Sequence, residues 1–265
     1  MYDEYINVLY CIDTDTNQLC EVYSESTCLP GAYIASIDSY IVTRQSIRTD
    51  DNYLITYLEL LNPETGEIEK SSEPFYLNDN TNVGVYMINM CADDNLIYAL
   101  VDERLEDGTN SPIIYVYNDD LEVTDEINMD SVSEYILSSR VGDMCVWGNC
   151  IYMGNYYLEA FVGVIEDGSI KCLLQGESLE AAIQYDTDCD PLFFVRGSNV
   201  FYDFDSSSNS LKEIELELDG DYKISNVMIE SDNVLVDLTY YATDYDDAKP
   251  DRIYRVSRDS LEKVS

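Results

Sequence analysis

The chain has 265 residues, 46 % of them apolar, which is enough for a sizeable core and too apolar for wholesale disorder. Its 53 Asp and Glu against 14 Lys and Arg give a formal net charge of -39, and histidine is absent. That charge excludes direct binding to nucleic-acid phosphates or anionic lipid and favours cationic partners. The lack of histidine excludes Ser-His-Asp and Cys-His catalysis.

No apolar run is long enough to cross a bilayer, so no membrane insertion is expected. The N-terminus has neither a basic start nor a long apolar stretch, so it does not read as a signal peptide. The expectation is a cytoplasmic protein or the exported mature domain of a bacterial surface protein.

Two kinds of turn alternate along the chain, and they organise it. Near residues 5–24, the apolar run Val8-Leu9-Tyr10-Cys11 meets a polar turn ending at Leu19, which predicts a strand pair. Asp13-Thr14-Asp15-Thr16-Asn17 mimics the start of a calcium loop, with oxygens on alternate side chains. Gln18 stands where that loop needs Gly, and Ser24 where it needs the bidentate Glu. The stretch therefore reads as a hairpin turn, and no cofactor is expected; calcium is the one ion the pattern raises. Asp186-Thr187-Asp188-Cys189-Asp190 reads as a turn in the same way.

Five complete units follow, each predicted as four strands. They lie near residues 30–77, 83–128, 136–175, 181–218 and 222–265. The turn between first and second strands is Asp38-Ser39, Asp94-Asn95, Gly148-Asn149, Cys189-Asp190 and Asp232-Asn233 in turn. These residue types enter the positive-φ region that two-residue hairpins need. Successive turns fall roughly 40 to 55 residues apart, the length of a propeller blade. Middle strands such as Ile113-Ile114-Tyr115-Val116-Tyr117 are continuous apolar runs, as in strands covered on both faces. Ser131–Ser138 and Glu177–Gln184 are expected to form short helical turns between units.

Around Gly148-Asn149, a two-residue hairpin places Trp147 opposite Cys150 and Cys145 opposite Tyr152. Cys145 and Cys150 are then not cross-strand partners, which argues against a disulfide between them. Trp147 reads as a core or rim anchor. The eight cysteines are irregularly spaced, mostly inside apolar runs, and read as buried reduced thiols, with one or two disulfides as the alternative. No Cys-x-x-Cys occurs, which argues against zinc.

The predicted fold is an all-β propeller of four-stranded antiparallel blades in a single domain, 1–265. It has five complete units plus the N-terminal strand pair, hence five or six blades; a sandwich or solenoid is the alternative. The recurring unit of turn, Asn, any residue, apolar residue and Tyr is seen in Asp94-Asn95-Leu96-Ile97-Tyr98 and Gly148-Asn149-Cys150-Ile151-Tyr152. It resembles the propeller-like repeats of bacterial cell-surface proteins and lipoproteins, which are similar to low-density-lipoprotein-receptor-type propellers. The Tyr-Trp-Thr-Asp tetrapeptide of the receptor blades does not occur here. The resemblance implies fold alone, because propellers host many unrelated activities.

In such blades, the connections between second and third strands share one rim with the connections between units. The polar loops predicted there carry Asp50 and Asp51, then Asp102, Glu103 and Asp107, then Asp244, Tyr245, Asp246, Asp247 and Asp251. Loops on a rigid scaffold are where binding usually sits. The leading expectation is a non-catalytic module whose acidic, tyrosine-bearing rim binds a protein or another cationic ligand. One alternative is an acidic decoy that mimics nucleic acid and occupies a DNA- or RNA-binding partner. Another is a carbohydrate-active enzyme with a carboxylate pair on different strands.

Overall fold

A computed structural model describes residues 5–13, 18–27, 34–37, 40–78, 81–132, 141–155, 159–184, 189–218, 221–230, 233–241 and 249–258. The secondary-structure elements are β-strands, and the fold class is all-β. The chain divides into two compact units, Met1–Arg140 with Asp167–Ile170, and Val141–Glu166 with Lys171–Ser265.

The first unit opens with the hairpin of β1 (Tyr5–Asp13) and β2 (Gln18–Thr27), as the sequence predicts. Their register pairs Asp13 with Gln18. The flanks of the calcium-like stretch are thus strands, while its residues 14–17 lie outside the described residues, as do 185–188. Next come β3 (Ile34–Ile37), β4 (Tyr40–Arg48), β5 (Tyr53–Leu61), β6 (Ile68–Ser71) and β7 (Phe75–Asn78). Then follow β8 (Val83–Asp93), β9 (Leu96–Arg104), β10 (Asn110–Tyr117) and β11 (Val123–Asn128). Their order across the sheet is β3-β4-β5-β7-β8-β9-β10-β11, with β6 also on β5. The extra strand β7 pairs with both β5 and β8, so it joins two units that the sequence pattern treats as separate.

The second unit holds β12 (Val141–Trp147), β13 (Cys150–Asn155), β14 (Glu159–Glu166) and β15 (Ser169–Glu177) in one run of four neighbours. A four-stranded sheet of β16 (Leu179–Ala181), β18 (Leu192–Val195), β19 (Val200–Asp205) and β20 (Ser210–Glu215) follows. The last sheet contains β17 (Ile183–Gln184), β21 (Tyr222–Glu230), β22 (Asn233–Tyr240) and β23 (Arg252–Ser257). Two expectations need correction here. Glu177–Gln184 is not a helical turn: its residues end β15, then supply β16 to one sheet and β17 to the next. The β17–β21 pairing is parallel, so that sheet is not wholly antiparallel.

Hairpin chemistry sets the registers. Asp93 pairs with Leu96 and Trp147 with Cys150, leaving two-residue turns at Asp94-Asn95 and Gly148-Asn149. Asp94 and Gly148 have φ of 50° and 59°, the sign a tight hairpin of this twist needs. Cys145 faces Tyr152 as predicted. In the last sheet Asn233, expected in a turn, belongs to β22 and pairs with Glu230, while Asp232 lies outside the described residues.

Each unit buries an apolar core. In the first, Val42, Leu58 and Leu60 pack with Met87, Ala99 and Val101. In the second, Tyr152 and Val162 pack with Phe193 and Phe204, while Phe201 packs with Ile224 and Val236. Cys145, Cys150 and Cys172 carry free thiols. Burial pushes the Cys150 thiol up to about 12 and the Cys145 thiol up to about 11.

Candidate functional site

The registers of the first unit bring three connections to one end of its sheet. Arg48 pairs with Leu54 around the 49–53 turn, Tyr53 pairs with Asn78, and Asn78 pairs with Val83. Gly84 pairs with Arg104, which pairs with Asn110 around the 105–109 turn. The 49–53 turn, the β7–β8 connection and the 105–109 turn therefore stand side by side.

Local hydrogen bonds build each turn. The Thr49 amide donates to the Tyr53 carbonyl at 2.9 Å and the Asn52 amide to the Thr49 carbonyl at 3.1 Å, with Asn52 at φ 60°. Between them, Asp50 and Asp51 project as exposed residues. In the next turn the Leu105 amide donates to the Thr109 carbonyl at 2.9 Å. Asp107 accepts from the Thr109 hydroxyl at 2.6 Å and from its amide at 2.9 Å. Those bonds favour the charged carboxylate and hold it below the usual range. Asp107 thus shapes the turn, while its neighbour Glu106 is exposed and outside that hydrogen-bonding.

Two predicted rim residues are placed otherwise. Asp102 and Glu103 belong to β9, which runs on to Arg104 because β8 and β10 pair with it that far. Asp102 is 4 % exposed, and its Oδ2 accepts from Arg104 Nε at 3.0 Å. Glu103 faces the opposite side of the sheet and accepts from the Tyr115 hydroxyl at 3.1 Å. Burial first, then that bond, pushes the Tyr115 phenol up to about 12. Arg104 is held between Asp102, the Asn82 side-chain oxygen at 2.5 Å and the Tyr86 ring at 5.4 Å. Asp251 is exposed just before β23 in the second unit. Asp244, Tyr245, Asp246 and Asp247 lie outside the described residues.

The sequence reading missed the apolar side of this edge. Ile47, Ile55 and Tyr76 are successive cross-strand partners on β4, β5 and β7, and Tyr53 shares their face. Ile47 is 41 % exposed, Tyr53 39 %, Tyr76 52 % and Leu105, in the neighbouring turn, 50 %. Large side chains open to water beside Asp50, Asp51 and Glu106 combine apolar area with negative charge. The abundance of tyrosine hinted at such a surface, but its position depends on the β5–β7 register, which composition does not encode. Among the described residues, no group of three or more His, Cys, Asp or Glu side chains is placed to hold a metal ion.

No family model and no curated protein matches the chain in sequence. The low-density-lipoprotein-receptor-type resemblance thus finds no sequence support there. Among solved structures, the chain is similar to a Bacteroides caccae protein of unknown function at 11 % identity and TM-score 0.48, covering 95 % of this chain and 86 % of that one. It is also similar to Saccharomyces cerevisiae Sqt1, at 11 % identity and TM-score 0.46, covering 93 % of this chain and 67 % of that one. A third is the dihydro-heme d1 dehydrogenase NirN in complex with DHE, at 10 % identity and TM-score 0.48. That match covers 96 % of this chain and 52 % of NirN.

Proposed function

We propose that the chain is a propeller-type, non-catalytic interaction module that binds a basic protein segment across the loop edge of its first unit. The four-stranded sheets serve as blades, and the edge is part of one rim. A single observation carries the reading: exposed Asp50, Asp51 and Glu106 share one sheet end with exposed Ile47, Tyr53, Tyr76 and Leu105. A basic segment offers cations to the carboxylates, while its long aliphatic stems and the tyrosine rings cover one another. The net charge of -39 draws such a partner in from a distance, but does not itself choose the edge.

The test separates local from global charge. A labelled peptide rich in lysine and arginine is titrated against the protein at physiological salt. The triple variant Asp50→Asn, Asp51→Asn, Glu106→Gln keeps Asp107, which the 105–109 turn needs. A control, Asp119→Asn, Glu122→Gln, Asp125→Asn, removes the same number of charges from exposed sites at or beyond the 118–122 turn, the opposite end of β10. The edge variant is expected to bind about tenfold more weakly and the control within about twofold of the native protein. Equal losses in both would reduce the interaction to bulk charge and refute the edge.

A further inference from the structure

The chain that carries this acidic edge also carries a segment of the kind the edge would take. Lys249, Arg252, Arg255 and Arg258 fall within ten residues that hold one carboxylate, Asp251, a local net charge of +3 in a chain of -39. Arg252–Ser257 of this segment is β23, which among the described residues pairs only with β22 and so leaves its outer edge open. Arg258 is committed: its guanidinium donates to the Asp190 carbonyl at 2.6 Å and to Asp203 Oδ1. Arg252 lies half-buried over the Tyr222 ring at 4.2 Å. The other two cations are open to solvent. Arg255 meets Glu230 at 3.1 Å, but the two side chains are 60 % and 56 % exposed, so the pair is a weak rival to an outside carboxylate. Lys249 is exposed, its ammonium 4.7 Å from the centre of the Tyr240 ring. Between these two, Ile253 is 74 % exposed and Tyr254 44 %. Asp244, Asp246 and Asp247 precede the segment in the chain, outside the described residues, so apolar contact has to share in selecting it.

Segment and edge also match in length. The 49–53 and 105–109 turns are four strand spacings apart along β4-β5-β7-β8-β9-β10, about 19 Å. Extended chain from Lys249 to Arg255 covers about 20 Å. We propose, resting on the reading of the edge as a site for a basic segment, that a second copy of this chain supplies that segment. Arg255 of one copy faces Asp50 and Asp51 of the other, and Lys249 faces Glu106. Ile253 then stands about 7 Å in from Arg255, over β7, which carries Tyr76 at about the same distance from the 49–53 turn. The contact is heterologous: each copy offers one edge and one segment. Two chains of charge -39 repel at long range, but at physiological salt the Debye length of about 8 Å leaves the groups at the contact to decide.

Sedimentation velocity of the full chain at physiological salt tests this. Association should rise with concentration, with a dissociation constant on the order of 10–100 µM for a small, transient interface. The edge variant Asp50→Asn, Asp51→Asn, Glu106→Gln and a segment variant Lys249→Gln, Ile253→Ser, Arg255→Gln should each associate about tenfold more weakly. An equimolar mixture of the two variants should recover association and stop at a dimer, since it joins one intact segment to one intact edge. On the native protein, the lysine- and arginine-rich peptide should disperse the oligomers, a readout that needs no variant. A monomer at every concentration, alongside a peptide that still binds the edge, overturns the second copy as partner and leaves the edge reading standing; loss of peptide binding as well overturns both. Association untouched by either variant, or variants that stay monomeric when mixed, overturns the proposal equally.

Discussion

Replacing Phe193 by Ala tests how the second unit is held together. Phe193 lies on β18, is fully buried, and meets the Trp147 ring edge-on at 6.0 Å and 74°. It also stacks on Tyr152 at 6.0 Å and 21°. Trp147 and Tyr152 belong to β12 and β13, so this one ring joins two sheets. Phe→Ala at such a site costs about 3–5 kcal/mol. Of this, the two aromatic pairs supply roughly 0.5–1.5 kcal/mol each, so Phe193→Leu, which keeps most of the volume, should cost about 1–3 kcal/mol. Trp147 is the sole tryptophan, so urea unfolding followed by its emission reads the affected contact directly. The midpoint should fall with the slope unchanged. A loss below about 1 kcal/mol for Phe193→Ala would refute the packing between these sheets.

Further outcomes follow from groups already described. Burial holds the Cys150 and Cys145 thiols protonated up to about 12 and about 11, against 9.0 in the open chain. The unfolded chain therefore releases protons first, and stability present below about pH 9 is lost as pH rises toward 12, by up to about 1.4 kcal/mol per pH unit for each thiol. Urea midpoints between pH 8 and pH 11 check this, and Cys150→Ala should flatten the slope; an unchanged slope contradicts it. Gly84 has φ 129°, and a Cβ there would meet the Tyr76 carbonyl oxygen at 2.1 Å. Gly84→Ala should therefore cost about 2–4 kcal/mol and weaken the peptide binding, since β7 carries Tyr76. Native-like stability and affinity would show that the β7–β8 crossing does not build the edge.

The turns were the legible part of this fold. Asp-Asn and Gly-Asn dipeptides state their φ preference locally, so Asp94-Asn95 and Gly148-Asn149 fixed two registers to the residue, including the Trp147–Cys150 and Cys145–Tyr152 pairs. The run Leu179–Gln184 was not legible, because its split between two sheets depends on partners far along the chain. Asp102 and Glu103 read as loop because they are acidic, yet β8 and β10 extend the strand through them. The run Thr43-Arg44-Gln45-Ser46 is polar throughout, yet all four residues are buried. Tertiary cover, here from β2 on one face and β8 on the other, decides burial where periodicity is silent.

The edge itself is tested most directly by amide hydrogen exchange with and without the lysine- and arginine-rich peptide. Slowed exchange confined to residues 49–53, 76–78 and 105–110 is the predicted result. Slowing at the 118–122 or 205–209 turns instead, or uniform slowing across both units, would contradict a binding surface at this end of the sheet.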